Sequence, residues 1–464
     1  MFQTESAKTR YALCGLSTRA IYHFILPLLG KREDEGANDF SQLSDVVGIY
    51  DIDRSRVEEF LRRYQLQIPV YTPEEGLDRL IEDVQPEVLL VAGPDDTHFE
   101  QILCGLRHGL KVIAEKPMVI NCEQARAVLK AERESMGELV VAHNFRYTSI
   151  GRRCKELLRE GRVGRVTNVE FVYNLDTFHG ASYFYRWNRE RQRSGGLCIH
   201  KSVHHLDLIN WLLDSQPETI FAFASLNYYG ENGAHRPLSE DGSPLSLAET
   251  RARCPYFQKN LMPKGASPEQ RITPGWDGMK LPFHAQYPDD GYIYDSAIDI
   301  EDTYAAVMHY RNGAILSYSC NFSTPWEGFT LGINGTEGRL EIAHHTEPDP
   351  TGMSAELVRK EKIVYFPLFG GREELDVNIE AGGHGGADRY IQRDLFGRSQ
   401  DTESDLRADG YAGAVAIAAG EAIWRSAQEG RAFTVRELLG EARDYERIDR
   451  ARPQATSKSL VGVA

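Results

Sequence analysis

The sequence lacks three features that would each point to a particular kind of protein. It has no CxxC pair: its seven cysteines (14, 104, 122, 154, 198, 254 and 320) are scattered along the chain. An odd, dispersed set reads as reduced thiols in a reducing compartment, not as a disulfide framework. It has no long apolar run. Stretches such as GAVAIAAGEAIW are too short or too rich in Ala and Gly to span a bilayer, and the opening MFQTESAKTR has no apolar segment of the signal-peptide kind. It also has no surplus of positive charge, since 53 Lys and Arg face 68 Asp and Glu for a formal net charge of −15. Such a chain repels phosphate backbones and anionic lipid, so nucleic-acid and membrane partners are not expected, and the cytoplasm is the expected location.

What is present is an ordinary globular balance, with 41% apolar and 26% charged residues. A length of 464 residues exceeds what one core usually serves, so two domains are expected. Residues 10–143 alternate short apolar runs (YALCG, DVVGIYD, EVLLVAG, KVIAEKP, ELVVAHN) with amphipathic stretches such as RSRVEEFLRRY and NCEQARAVLKAERESM. That alternation predicts a parallel sheet covered by helices on both faces, a doubly wound nucleotide-binding domain over 1–143. From about 144 the runs lengthen: RVTNVEFVYNLD, ETIFAFASLNYY, DTYAAVMHY, GAILSYSCNF and GFTLGING. Their period-two alternation predicts a large, mainly antiparallel sheet with helices on one face, an α+β substrate domain over 144–464. Arg311-Asn312-Gly313 is the expected turn of a hairpin. A Pro/Gly/polar insertion at about 231–295 reads as a lid, a wall of the site or a subunit contact. A helix is expected at about 404–429, followed by a short FTV strand.

The first strand–turn–helix reads YALCGLSTRAIYHF. A dinucleotide fingerprint places glycine at three points of this turn; here they are Gly15, Ser17 and Ala20, the two replacements small enough for a phosphate to approach the helix start. Leu16, Thr18 and Arg19 complete the turn. An acidic residue ending the second strand accepts hydrogen bonds from the adenosine ribose. Asp51 is the first choice and Asp53 the rival, with capping of the next helix as the structural alternative for Asp51. A carboxylate there disfavours a 2′-phosphate, so NAD is expected over NADP, although Arg54 leaves room for the latter. The inserted GKREDEGANDFSQ lengthens the spacing between Gly15 and Asp51.

The tripeptide EKP within AEKP (114–117) follows the fifth strand. With VAGPDDTHFE, HNFRYTSIGRRCKELLREGRVGRV, SGGLCIHKSVHHLDLINWLL and NGTEGRLEI in that order, the chain from 10 to about 343 resembles the glucose–fructose oxidoreductase/inositol dehydrogenase/MocA (Gfo/Idh/MocA) family. The resemblance implies a Rossmann domain followed by an α/β domain with an open sheet, and dimers or tetramers formed through that sheet. It adds Gly93, Pro94, His98, Glu115, Lys116 and Asn144 to the expected nucleotide contacts. It places Lys116 beside the nicotinamide and the reacting hydroxyl, and His204 as the acid–base or hydroxyl-holding histidine. Position 200, often an aspartate in the family, is His200 here, and Lys201 stands where a small residue is commoner. His200, His204 and Asp207 share one helical face. They would also suit three positions of a zinc site, but hydride transfer needs no metal and none is expected. Asp207 is equally suited to orienting His204 or capping a contact between domains.

On the substrate side, Arg146, Tyr147, His179, Tyr183, Arg186 and Trp187 offer aromatic faces and polar forks suited to a carbohydrate-like molecule. His384 and Asp388 follow a Gly-rich turn and are expected to complete the pocket. DSAIDIEDT (295–303) carries four carboxylates and reads as a solvated strand entrance rather than a calcium site. The expected activity is oxidation of a secondary ring hydroxyl of a sugar, glycoside or polyol. The alternatives are a redox glycosidase working by transient oxidation and elimination, and a non-catalytic nucleotide-binding sensor.

Overall fold

A computed structural model of the chain describes residues 7–33, 36–254, 292–348, 357–377, 386–397 and 406–440. In chain order the strands are β1 (Thr9–Cys14), β2 (Ser44–Tyr50), β3 (Val70–Tyr71), β4 (Val88–Val91), β5 (Lys111–Ala114), β6 (Glu138–Val141), β7 (Val166–Asp176) and β8 (Pro217–Ser225). They continue with β9 (Thr303–Tyr310), β10 (Ile315–Thr324), β11 (Glu327–Gly335), β12 (Gly338–Pro348), β13 (Leu357–Pro367), β14 (Glu373–Leu375), β15 (Ala408–Asp409) and β16 (Phe433–Thr434).

The first sheet has the order β15-β6-β5-β4-β1-β2-β3, parallel except for β15. Its central strands are buried throughout, as two covered faces require. The strand order reverses between β1 and β4, and the crevice beyond their carboxyl ends is where such sheets bind nucleotides. Gly15 and Gly93 follow these two strands and nearly touch. Gly15 has φ +85°, and a β-carbon there would lie 2.4 Å from the Gly93 Cα, so both the turn and the close approach require glycine.

The second sheet has the order β14-β13-β12-β11-β7-β10-β9-β8-β16, antiparallel except where β7 meets β10. The expected hairpin joins β9 to β10, with the Tyr310 N–H donating to the Ala314 carbonyl and Gly313 at φ +86°. Strand β9 alternates buried and exposed residues, so one face of the sheet is packed and the other open. The open face carries Phe223 (71% exposed) and Val307 (54% exposed), with Phe221 directly opposite Val307 in the β8–β9 register.

Three features differ from the sequence expectation. The C-terminal helix spans Gly410–Glu429, not 404–429, because the Asp409 carboxylate caps it at the Ala412 N–H while Ala408–Asp409 pair with Val140–Val141 of β6; residues 404 and 405 lie outside the described residues. The tail thus adds the seventh strand to the first sheet. The loop 30–42 receives helix Ala387–Phe396: Asn38 Nδ2 donates to the Arg389 carbonyl at 2.8 Å, and Phe396 packs edge-on against Tyr11, Phe24 and Phe40. The acidic segment 295–302 is a solvated entrance only in part: Asp299 is exposed and Asp295 half-buried, whereas Glu301 and Asp302 are buried. Glu301 accepts from the Cys198 N–H and pairs with Arg191, Asp302 accepts from the N–H groups of Asn227, Tyr228 and Tyr229, and Asp295 pairs with Arg189. Burial without these partners would be prohibitive for carboxylates. Of the insertion, 231–254 and 292–295 are described, including a short helix at Leu247–Arg253 and the buried Tyr292 and Tyr294. Among the described residues no helix is long and apolar enough to cross a membrane. All seven cysteines are buried free thiols.

Candidate active site

The first βα turn is closed from three sides. Ser17 caps the helix by accepting from the Ala20 N–H, which gives a physical reason for serine at the fingerprint's second position. The buried Asp51 carboxylate accepts from the Leu16 N–H at 2.6 Å and pairs with Arg56 at 2.7 Å. Asp53 caps helix Arg54–Tyr64 instead, which assigns the capping alternative to Asp53 and leaves Asp51 at the turn. The turn, the helix start at Thr18 and Asp51 together fit a dinucleotide: glycine where the backbone must come close, the positive end of a helix, and a carboxylate at the end of the second strand.

Next to this turn lies the EKP segment. His98 joins the two, with Nδ1 2.9 Å from the Pro117 carbonyl and Nε2 3.0 Å from the Gly93 carbonyl. The Lys116–Pro117 bond is cis. Glu115 accepts from Arg19 Nε at 2.7 Å, and Arg19 also reaches Asp388 at 2.9 Å. Asn144 Nδ2 lies 3.5 Å from the same Asp388 carboxylate. The expected nucleotide contacts Gly15, Arg19, Gly93, His98, Glu115 and Asn144 therefore form one connected group, and Asp388 completes it. His384 lies outside the described residues.

Lys116 Nζ donates to the His200 carbonyl at 3.1 Å. Burial, with the nearby cations Lys201 and Arg19, lowers its pKa below the ordinary lysine value despite Asp95 and Glu115. His200 Nδ1 is 2.5 Å from Asp95 Oδ2. Asp95 opens helix Asp95–Arg107 of the first domain and is buried. Burial raises its carboxyl pKa and lowers that of His200, so both tend to their neutral forms with a proton shared between them. The first domain thus places a carboxyl group against His200. The motif reading does not single out Asp95; the signal available was an acidic residue in the first turn after Pro94.

His204 is buried and stacks on Phe145 at 4.6 Å. Asp207 does not orient it; its carboxylate takes Arg146 in a two-pronged pair at 2.7 and 2.5 Å. Arg146 is therefore held by a buried partner rather than presented to the cleft, and His143, its pKa lowered to about 4 by burial, lies 4.0 Å from Asp207. Tyr147 is likewise turned away, its hydroxyl on Asp394. The remaining substrate-side residues do converge. The rings of Tyr183 and Trp187 stand edge-on to His200 at 5.5 and 5.7 Å, and Lys201 Nζ sits 4.9 Å from the Tyr173 ring centre. Arg186 contributes positive charge that further disfavours a protonated His200. His179 meets Tyr183 and Glu327, the latter also outside the motif reading. The expected single helical face is not formed: His200 ends helix Leu197–His200, the chain turns at Lys201–Ser202, and His204 and Asp207 lie on the next helix, Val203–Leu213, so the three residues are divided among other partners. Among the described residues, the potential metal-ligand group with donor atoms within 4.8 Å of one another is Asp78, Cys104 and His108, at the far end of helix Asp95–Arg107 from Asp95.

A nucleotide crevice meeting a half-buried lysine and a histidine-bearing pair of helices defines a two-domain nicotinamide oxidoreductase. Residues 9–143 match the family model described as "Oxidoreductase family, NAD-binding Rossmann fold", and 155–436 match "Oxidoreductase family, C-terminal alpha/beta domain". The chain belongs to the Gfo/Idh/MocA oxidoreductase family. It is 39% identical over 430 residues to YteT of Bacillus subtilis (strain 168), covering 92% of this chain and 97% of that one. It is 22% identical over 384 residues to the 2,7-anhydro-N-acetylneuraminate hydratase of Mediterraneibacter gnavus, covering 79% and 86%. Among solved structures, levoglucosan dehydrogenase in complex with NADH and levoglucosan shares the fold, with a TM-score of 0.60 at 16% identity over 92% of this chain and 100% of that one.

Proposed function

We propose that the chain is an NAD-dependent dehydrogenase that oxidises a secondary ring hydroxyl of a sugar, glycoside or polyol to a ketone, or runs the reverse reaction. The observation that carries this is Lys116: a half-buried amine between the nucleotide turn and the histidine-bearing segment 197–213, with its basicity reduced. Bound at the crevice, the nicotinamide supplies the hydride acceptor. Lys116 takes the hydroxyl proton and its cation then holds charge on the oxygen. His204 on helix Val203–Leu213, stacked on Phe145, and the pair of His200 (end of helix Leu197–His200) with Asp95 of the first domain supply further proton-holding groups. The Asp51 carboxylate supports NAD over NADP. Seven buried thiols support a cytoplasmic location, and the exposed Phe221, Phe223 and Val307 support a homo-oligomer assembled on the open sheet.

Purified protein with NAD, screened against free sugars, inositols, levoglucosan and methyl and aryl glycosides, is expected to form NADH with at least one. Nucleotide binding without turnover across the panel would count for the sensor. A pH series sharpens the test. The rate of alcohol oxidation needs neutral Lys116 and so rises as pH passes its pKa. The acid limb of kcat/KM is expected well below the ordinary lysine value of about 10.4, because burial, Lys201 and Arg19 outweigh Asp95 and Glu115. A limb at or above that value would remove Lys116 from the role of base.

A further inference from the structure

We infer that Asp78, Cys104 and His108 form a metal site of the zinc type, at the end of helix Asp95–Arg107 far from the nucleotide cleft. The site stands apart from hydride transfer and does not depend on the dehydrogenase reading. Cys104 and His108 are four residues apart, one turn over the other, and the His108 N–H donates to the Cys104 carbonyl as it closes the helix. Asp78 lies in the first turn of the neighbouring helix Leu77–Val84. The donor atoms converge. Cys104 Sγ is 3.5 Å and His108 Nε2 2.8 Å from the same Asp78 Oδ1, and all three atoms fall within 4.8 Å of one another.

The frame behind these side chains is set by the core. Gly105, next to Cys104, seats its helix on the sheet, since a β-carbon there would lie 2.7 Å from Val112 and 3.0 Å from Leu89. Leu77, Leu80, Ile81 and Val84 bury the inner face of the second helix. Cys104 is 3% exposed, yet its sulfur meets a charged oxygen. Asp78 and His108 are exposed, which leaves an approach from water and room for a water as fourth ligand. The C-terminal end of helix Asp95–Arg107 also favours a positive charge.

The donor set and spacing suit zinc. Bonds of about 2.0–2.1 Å to nitrogen and oxygen and about 2.3 Å to sulfur put tetrahedral ligand atoms about 3.3–3.6 Å apart. The sulfur–oxygen separation already has that value, and the nitrogen–oxygen separation opens by roughly half an ångström as the ion takes the place of the proton between them. A thiolate beside an imidazole disfavours magnesium and calcium, which take oxygen ligands. Burial and the Asp78 charge push the Cys104 thiol up to about 12, so its proton stays until the metal displaces it. On binding, the S–H bond breaks, its electron pair forms the sulfur–metal bond and the proton leaves to water. His108 binds through Nε2 with its own proton on Nδ1. The Arg107 guanidinium, 3.6 Å from Asp78 and 56% exposed, swings away.

The test uses the full-length protein, treated with a chelator and dialysed, with Zn²⁺ and Co²⁺ as probes. Calorimetry is expected to find a single zinc per chain, and Co²⁺ to give the near-ultraviolet charge-transfer band of a thiolate bond with the visible bands of a tetrahedral ion. Cys104→Ser is expected to remove the charge-transfer band and to weaken zinc more than about a hundredfold. His108→Ala and Asp78→Asn, at exposed positions that do not threaten the fold, are expected to weaken it at least about tenfold. Zinc should raise the unfolding temperature of the wild type and not of the variants. A cobalt complex without the thiolate band, zinc affinity unchanged in all three variants, or no binding by the wild type would each overturn the inference. Asp78 and His108 would then be an ordinary surface ion pair beside a buried thiol.

Discussion

Lys116→Ala is expected to lower sugar-dependent NADH formation by about a thousandfold, in the middle of the range for loss of a positioned acid–base group. The same loss is expected for Lys116→Arg. Arginine restores the charge but does not give up a proton at accessible pH, so it separates a base from a mere cation. The unfolding midpoint should change little, because removing a half-buried amine also removes the cost of withdrawing it from water. Initial rates, NAD affinity and thermal unfolding measured on the three proteins decide the matter. More than about a tenth of the activity surviving in Lys116→Arg would show that Lys116 acts through charge and not through proton transfer.

The second large effect is expected in stability and concerns Arg146. With side-chain exposures of 7% and 1%, Arg146 and Asp207 form a buried pair. Removing one partner strands the other, at a cost of about 3–5 kcal/mol. Asp207→Ala and Arg146→Ala should therefore unfold at clearly lower temperature or denaturant concentration. The double variant Arg146→Met/Asp207→Leu, which removes both charges while keeping the volume, should recover most of the loss. A substrate-gripping Arg146 would behave in the opposite way, with a raised KM in Arg146→Ala and an unfolding midpoint near that of wild type.

These two residues also show how far the sequence could be read. Lys116 was legible because local features coincide: an apolar strand, a proline that shapes the turn, and a place in the chain fixed by the strands before it. Arg146 was legible as a polar fork but not by partner, since Asp207 lies 61 residues away and pairing at that distance leaves no periodic trace. The same holds for Asp95, which serves His200 from 105 residues away, and for Tyr147, claimed by Asp394. Strand alternation gave most of both sheets because burial on one or two faces writes itself into successive residues. It could not give β15, whose two residues join the first sheet only through the geometry of a distant helix, or the receipt of helix Ala387–Phe396 by loop 30–42. Glu301 and Asp302, the buried half of the acidic segment, misled for a related reason: charge alone suggests water, and the arginine and backbone donors that satisfy them come from elsewhere in the chain.

The late return of the chain to its first domain has a consequence for biosynthesis. On a ribosome, β1 to β6 emerge early, yet the edge of β6 waits for Ala408–Asp409, and the Tyr11–Phe24–Phe40 surface waits for Phe396. Until those residues emerge, the nascent first domain carries an unpaired strand edge and an aromatic surface open to association. Its edge and aromatic surface are completed only after strands β7 to β14 of the second sheet have been made, so the two sheets mature together.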